Sequence, residues 1–182
     1  VVNGDCPAVS DEITITRFLP PTVAQAANDL SSCLTEITLN ANKPAIGTGI
    51  WKRLSGFGTI LDVSNPHTLV QNLIPGQALF EWVVSNGPCP TSSDQVQVVV
   101  YTSPGQPNAG LALEVCGDSV FVSGNFPDHG SAEWSILEGS GVFDQAHLPQ
   151  SSVAGLQSGQ NLLLYTFVNG PCKTYDTLQV HA

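Results

Sequence analysis

The most reactive side chains of this sequence are its five cysteines. Three occupy the same short turn, in which an Asn-Gly pair precedes the cysteine by two or three residues: Cys6, Cys89 and Cys172. The chain has no C-x-x-C pair and no Cys/His cluster at zinc spacing, so the pattern favours disulfides over a metal site. Disulfides in turn predict an oxidising compartment, and we expect an extracellular, cell-surface location.

Other catalytic and metal-binding patterns are missing from the sequence. No two histidines have metal-ligand spacing, and no G-x-S-x-G nucleophile elbow occurs. The only adjacent carboxylates, Asp11 and Glu12, start a predicted strand and would point to opposite faces. We therefore expect a protein that is not an enzyme, with no catalytic residue, no metal and no cofactor.

An aspartate recurs shortly after each turn cysteine, at Asp11, Asp94 and Asp176. Repeated acidic residues on a surface can bind calcium, but here they do not form the D-x-D-x-D-G pattern of a calcium loop. Capping of a turn by the aspartate side chain explains the recurrence equally well. The sequence leaves both roles open and favours the cap.

The charge of the chain restricts its partners. Five Lys and Arg face fifteen Asp and Glu, for a formal net charge of −10. No basic patch is available for phosphates, so we expect no nucleic acid partner, and no apolar run is long enough for direct membrane insertion. The chain starts at Val1 and has no methionine, which suggests a processed or excised piece.

The chain is a tandem repeat with a period of 83 residues. Cys6 and Cys89 are 83 residues apart (89 − 6), as are Cys89 and Cys172 (172 − 89) and Cys33 and Cys116 (116 − 33). The period also relates many other positions, including Trp51 and Trp134. We predict the end of an upstream repeat at 1–17, a first repeat at 18–101 and a second at 102–182.

Each repeat has the pattern of an all-β domain. Polar and apolar residues alternate along short segments such as Gln95-Val96-Gln97-Val98, and Gly, Pro and Asn separate these segments. About seven short strands in 83 residues predict tandem immunoglobulin-like β-sandwiches in a rod-like array. A second alternating segment, 13–16, is expected to be a strand. Residues 21–30 suggest a helical turn or an irregular first strand.

Four large aromatic residues are candidates for the sandwich cores: Trp51, Trp82, Trp134 and Tyr165. The period relates Trp51 to Trp134 and Trp82 to Tyr165, and all four lie on predicted strands. Aromatic side chains on strands usually pack inward. The alternative is exposure for stacking on a sugar ring, for which Trp51, Trp82, Trp134 and Tyr175 are the candidates.

Two disulfide pairings are possible for the four cysteines of the two full repeats. Pairing within each repeat joins Cys33 to Cys89 and Cys116 to Cys172, and we favour this arrangement. Pairing between repeats joins Cys33 to Cys172, and it is the alternative if Cys33 and Cys89 lie at opposite ends of one sandwich. In the favoured pairing Cys6 stays unpaired in this chain.

The first repeat contains a frame of short motifs: Cys33, Gly47-Thr48-Gly49-Ile50-Trp51, Gly56-Phe57-Gly58, Asn65-Pro66, Leu73-Ile74-Pro75-Gly76, Phe80-Glu81-Trp82, Asn86-Gly87-Pro88-Cys89 and Ser92-Ser93-Asp94. This frame resembles the tandem Ig-like (PKD-like) repeats of giant Bacteroidetes cell-surface proteins. Gliding-motility adhesins exported by the type IX secretion system contain such repeats. The second repeat departs from the frame at Ala132 and at Lys173-Thr174-Tyr175.

The resemblance implies a non-catalytic stalk segment of a long adhesin filament that serves surface adhesion and gliding motility. Its partners would be neighbouring repeats of the same polypeptide and, through the whole filament, an extracellular polysaccharide or another surface ligand. Two alternatives come from other classes of protein. One is a polysaccharide-binding module of a secreted protein, and the other is a filament subunit that uses residues 1–17 as a donor strand.

Overall fold

A computed structural model describes residues 10–182 of the chain, and Cys6 lies outside this range. The described residues contain fourteen β-strands and no helix. They form two seven-stranded sandwiches, each with a four-stranded and a three-stranded sheet. The all-β, immunoglobulin-like fold expected from strand alternation is therefore confirmed.

The first sandwich contains seven strands: β1 (Leu30–Ser32), β2 (Ile37–Asn40), β3 (Thr48–Ser55), β4 (Thr59–Ile60), β5 (His67–Gln71), β6 (Gly76–Ser85) and β7 (Ser92–Val100). One sheet has the order β1-β7-β6-β3, and the other has the order β2-β5-β4. All pairings are antiparallel except that of β1 with β7, in which Ser32 lies opposite Val100.

The second sandwich repeats this topology: β8 (Leu113–Glu114), β9 (Ser119–Ser123), β10 (Ser131–Glu138), β11 (Val142–Phe143), β12 (Gln150–Ala154), β13 (Gln160–Asn169) and β14 (Cys172–His181). Its sheets have the orders β10-β13-β14-β8 and β11-β12-β9. Strands β8 and β14 are parallel, like β1 and β7. The same sequence period therefore produces the same strand order.

The cores form because alternate side chains on each strand point between the two sheets. On β6, Ala78, Phe80, Trp82 and Val84 are buried, and on β13 the equivalent positions Leu163, Tyr165 and Phe167 are buried as well. Each sandwich has its own cluster of buried apolar residues. Adjacent central strands give each cluster aromatic rings in direct contact.

The segment before β1 is extended and irregular, not helical. Ala26 forms an isolated bridge with Ala41. The Asp94 carboxylate accepts a hydrogen bond from the Ala26 amide at 2.8 Å, and Asp176 accepts one from the Ala109 amide at 2.7 Å. The recurrent aspartates thus hold the first segment of each sandwich against its last strand, instead of only capping a turn.

The strand expected at residues 13–16 does not form. Residues 10–17 have no regular secondary structure, and Ile13 and Ile15 are 87% and 85% exposed. An alternating sequence becomes a strand only when a neighbouring strand accepts its backbone hydrogen bonds, and the described chain offers these residues no such neighbour.

Candidate functional site: the disulfide junction between the sandwiches

The structure contains one disulfide among its described residues, and it joins the two sandwiches. Cys33 bonds to Cys172 with their Cα atoms 5.5 Å apart, across a sequence separation of 139 residues. Cys89 and Cys116 are free thiols. The expected pairing of Cys33 with Cys89 and of Cys116 with Cys172 is therefore corrected to the inter-repeat pairing.

The physical reason lies in the strand directions of the first sandwich. Cys33 directly follows β1, which runs parallel to β7 and ends beside Val100. Cys89 lies in the turn before β7, at the opposite end of that strand. Nine extended residues span roughly 27 Å, whereas a disulfide requires Cα atoms within about 7 Å. An intra-repeat bridge is geometrically impossible in this topology.

The linker between the sandwiches crosses the turn that contains Cys172. The Tyr101 amide donates to the Ser32 carbonyl oxygen at 2.9 Å, which keeps the linker attached to the end of β1. The Asn169 side-chain amide donates to the carbonyl and hydroxyl oxygens of Thr102, at 3.0 and 3.2 Å. The disulfide, the linker and the turn therefore form one connected junction.

Gly170 is required where the turn meets the linker. Its φ is +58°, in the left-handed region that favours glycine. A Cβ atom at this position would also fall within the Tyr101 ring. Thr174 adds a second contact further along the linker, since its hydroxyl donates to the Gly105 carbonyl oxygen at 2.7 Å. Close approach of linker and turn thus depends on the absence of a side chain at Gly170.

The first sandwich carries a longer turn at the equivalent position, and the Asn and Gly of this turn make the same contacts with the preceding segment. The Asn86 side chain donates to the Leu19 carbonyl oxygen at 2.8 Å, and the Cys89 thiol donates weakly to that oxygen at 3.4 Å. Gly87 has φ +55°, and a Cβ there would overlap the Phe18 ring. Phe18 and Leu19 therefore take the places that Tyr101 and Thr102 take at the second turn.

Cys116 has the same structural setting as Cys33. It follows β8, whose residues Leu113 and Glu114 pair in parallel with Val180 and His181 of β14. The Val115 amide extends this pairing by donating to the His181 carbonyl oxygen at 2.9 Å. Cys116 is exposed. Both halves of the Cys33–Cys172 bridge thus have a free counterpart elsewhere in the chain.

The four predicted core aromatics are all buried. The Trp51 and Trp82 rings are in contact in the first sandwich, with centroids 5.2 Å apart, and Trp134 stacks on Tyr165 in the second at 4.2 Å. Of the four aromatics considered for sugar stacking, only Tyr175 is accessible, at 54% exposure.

Burial makes the Tyr165 phenol less acidic. Removal of the Tyr165 ring from water raises the pKa of its phenol to about 12, from an ordinary value of 10.0. The hydroxyl donates to the Asn125 carbonyl oxygen at 2.7 Å, so the neutral form has its partner inside the protein.

The acidic, histidine and cysteine side chains of the described residues do not form the arrangement that a metal ion requires. Within residues 10–182, no group of three or more His, Cys, Asp or Glu side chains is placed to hold a metal ion. No helix of this part of the chain is long and apolar enough to cross a membrane. Among the recurring polar groups of the described chain, those of the junction connect one sandwich to the other.

Residue types alone did not reveal the role of the asparagines and linker aromatics in the junction. Asn86 and Asn169 recur with the 83-residue period, and so do Phe18 and Tyr101. Their recurrence was a usable signal, because a turn that needs only a tight bend does not require an aromatic residue 69 positions before its glycine in both repeats (87 − 18 and 170 − 101). The contact between them became visible only in three dimensions.

The fold belongs to the class of immunoglobulin-like and fibronectin type III-like β-sandwiches, here in tandem. Extracellular domains 3–5 of Drosophila OTK are similar, with 12% identity and a TM-score of 0.53, over 90% of this chain and 59% of that chain. The fibronectin(III)-like modules of Clostridium thermocellum CbhA match with 10% identity and a TM-score of 0.51, over 88% of this chain and 94% of theirs.

Murine CEACAM1b is similar as well, with 14% identity and a TM-score of 0.51, over 87% of this chain and 98% of that chain. No protein-family model matches the sequence, and no curated protein resembles it at a significant level. At such low identities the comparisons establish the fold alone.

Proposed function

We propose that this chain is a non-catalytic stalk segment of a long, repetitive cell-surface adhesin filament. The observation that carries the proposal is the Cys33–Cys172 bridge, which joins consecutive sandwiches at the point where the linker crosses the Asn169 turn. A covalent bond beside a hydrogen-bonded linker limits the relative motion of two domains. Limited motion is what a load-bearing stalk requires and what an isolated binding module does not.

The location proposed for the stalk is extracellular, on the cell surface. A disulfide persists mainly in oxidising compartments, and immunoglobulin-like folds are common in extracellular proteins. The sequence frame adds the finer proposal that the filament is of the Bacteroidetes type exported by type IX secretion and serves adhesion and gliding motility. Neighbouring repeats of the same polypeptide are its proposed direct partners.

Two experiments test this proposal at different levels. Small-angle X-ray scattering of the oxidised chain should give a narrow range of distances between the sandwiches, and reduction should broaden it. Antibodies against the chain should label intact source cells, and deletion of the gene should abolish attachment and gliding. Equal scattering in both redox states, or labelling only of lysed cells, would contradict the stalk.

The polysaccharide-binding alternative retains one accessible aromatic of the four proposed for it, Tyr175. A single ring on a strand gives little stacking surface. Affinity electrophoresis in gels that contain bacterial polysaccharides separates the two proposals. We expect no retardation of the chain, whereas retardation that is lost in Tyr175→Ala would favour the binding module.

A further inference from the structure

We propose that Cys89 and Cys116 are the two halves of a second inter-sandwich disulfide, formed head to tail between copies of this chain. Cys116 of one copy would bond to Cys89 of the next, as Cys33 bonds to Cys172 within one copy. The proposal rests on the stalk function above and names the residues by which successive segments are joined. A second copy of the same chain is the partner because its sandwiches present the same turn and the same exposed cysteine as the neighbouring repeats of the proposed stalk.

The turn at Cys89 is already arranged for such a bond. Around Cys172, which is bonded, Asn169 holds the linker carbonyl, and Gly170 lies against the Tyr101 ring. Around Cys89, Asn86 and Gly87 make the same contacts with Leu19 and Phe18, although no disulfide is present there. The bonded turn and the free turn thus share the contacts of their Asn and Gly with the linker, although Cys172 pairs with Asn169 at the start of β14 and Cys89 lies in a longer loop between β6 and β7.

The second cysteine of the proposed bond, Cys116, lies at the far end of the second sandwich. Cys33 follows a short strand that pairs in parallel with the last strand of its sandwich, and Cys116 follows β8, which pairs with β14 in the same way. The two cysteines therefore leave their sandwiches at equivalent points. Cys116 is exposed and Cys89 is partly exposed, so each thiol is accessible to a partner.

The described part of the preceding segment does not close access to the Cys89 turn. Residues 10–17 adopt no regular structure and form no backbone hydrogen bond to the other described residues. A second copy can therefore approach the turn when this segment moves aside. Phe18 and Leu19 remain attached to the turn and provide the contact surface for the incoming sandwich.

The bond forms by thiol–disulfide exchange with a small-molecule disulfide such as oxidised glutathione. The Cys116 thiolate attacks one sulfur of the oxidant, forms a mixed disulfide and releases one glutathione thiolate. The Cys89 thiolate of the second copy then attacks the Cys116 sulfur and releases the second glutathione. Two protein thiols lose two protons and two electrons, and one oxidised glutathione becomes two reduced molecules.

The test uses two variants of the full chain in a Cys6→Ser background. Cys89→Ser retains only the Cys116 thiol, and Cys116→Ser retains only the Cys89 thiol, while both keep the Cys33–Cys172 bridge. Each variant is oxidised alone and as an equal mixture in a glutathione redox buffer, and covalent dimers are measured by non-reducing electrophoresis. Peptide mass spectrometry then identifies the bonded cysteines.

We expect the mixed dimer in about twentyfold excess over either homodimer, which is a tenfold preference beyond the statistical factor of two and corresponds to about 1.4 kcal/mol. Homodimers in statistical proportion to the mixed dimer, or no mixed dimer at all, would overturn the proposal. These outcomes are independent of adhesion or cell-surface location, so they do not depend on whether the stalk function holds.

A matched control keeps the number of thiols and moves one of them. Ser152 is exposed at the middle of β12, opposite Phe121, in the sheet that does not contain β8 and β14. The control chain carries Cys89→Ser, Cys116→Ser and Ser152→Cys, so its free thiol is at position 152. When this chain is mixed with the Cys89-only variant, the tenfold preference should be lost. An unchanged preference would show that any exposed thiol reacts equally well, and would also overturn the proposal.

Asn86→Ala in the Cys89-only variant should reduce the yield of the mixed dimer, because the contact between Asn86 and the linker is lost.

Discussion

Trp82 and Tyr165 occupy the same position in the two sandwiches, but only Tyr165 has a hydrogen bond for its polar atom. The Tyr165 hydroxyl donates to Asn125, whereas the buried Trp82 indole nitrogen has no partner among the described residues. The residues next to these two rings differ in size accordingly. The larger Trp82 ring lies against Gly49, and the equivalent residue of the second sandwich is Ala132. The Tyr165 ring lies against Gly124, and the equivalent residue of the first sandwich is Ala41.

This relationship predicts the effect of exchanging the neighbours. Gly49→Ala should lower the free energy of unfolding of the first sandwich by about 1–3 kcal/mol, because the new Cβ would overlap the Trp82 ring. The triple variant Ala41→Gly, Gly49→Ala, Trp82→Tyr should recover most of that loss, since it copies the second sandwich and gives the ring a hydroxyl near Asn42. Denaturant unfolding followed by fluorescence measures both.

Gly124→Ala in the second sandwich is the matched control. A Cβ there would overlap the Tyr165 ring, so a loss of the same size is expected in the free energy of unfolding of the second sandwich. A triple variant no more stable than Gly49→Ala alone would contradict the idea that these positions compensate one another.

Removal of the inter-sandwich bridge should both destabilise the chain and uncouple its domains. The chain-entropy model gives up to about 5 kcal/mol for a closed loop of 139 residues, divided between the two sandwiches. Cys33→Ser, Cys172→Ser should therefore melt at lower temperature and in two separate transitions, as measured by calorimetry. Cys116→Ser should melt like the unsubstituted chain, because Cys116 is not bonded in it. Identical melts for all three proteins would refute the role of the bridge.

The recurrent aspartates should stabilise the fold without calcium. Asp94→Ala removes the acceptor of the partly buried Ala26 amide, and we expect a loss of about 1–3 kcal/mol in the free energy of unfolding. Asp94→Asn retains an acceptor oxygen and should lose less. The Asp94 carboxylate already accepts from the Ala26 and Gln95 amides, so added calcium or chelator should leave the melting temperature unchanged. A rise in melting temperature with calcium would restore the metal-site alternative.

Stability should also fall at high pH because of Tyr165. Its pKa is about 12 in the folded chain and about 10 when unfolded, so the unfolded state releases its proton first as the pH rises. The contribution of the neutral phenol is complete below pH 10 and is lost between pH 10 and about 12. Thermal melts over this range should show the second sandwich weakening, and Tyr165→Phe should have a smaller slope. Equal slopes would assign the effect to other groups.

The strand pattern and the buried aromatics could be predicted from the sequence because they depend on local alternation. The 83-residue period could be predicted because the same residue types recur at that spacing. Trp51 and Phe80 point inward by their positions on a strand, whatever lies at the far end of the sandwich. The same reasoning failed for residues 13–16, because alternation describes a strand's faces and does not supply the neighbour that its backbone needs.

Sequence by itself therefore determined that this chain is a tandem of two similar β-sandwiches with aromatic cores and cysteines at repeated positions. Only the tertiary structure decided which cysteines meet. Spacing along the chain gives equal support to several pairings, whereas the parallel pairing of β1 with β7 places Cys33 at one end of its sandwich and Cys89 at the other. The bond then forms with Cys172, because the linker at Tyr101 and Thr102 brings the turn of the second sandwich to that end.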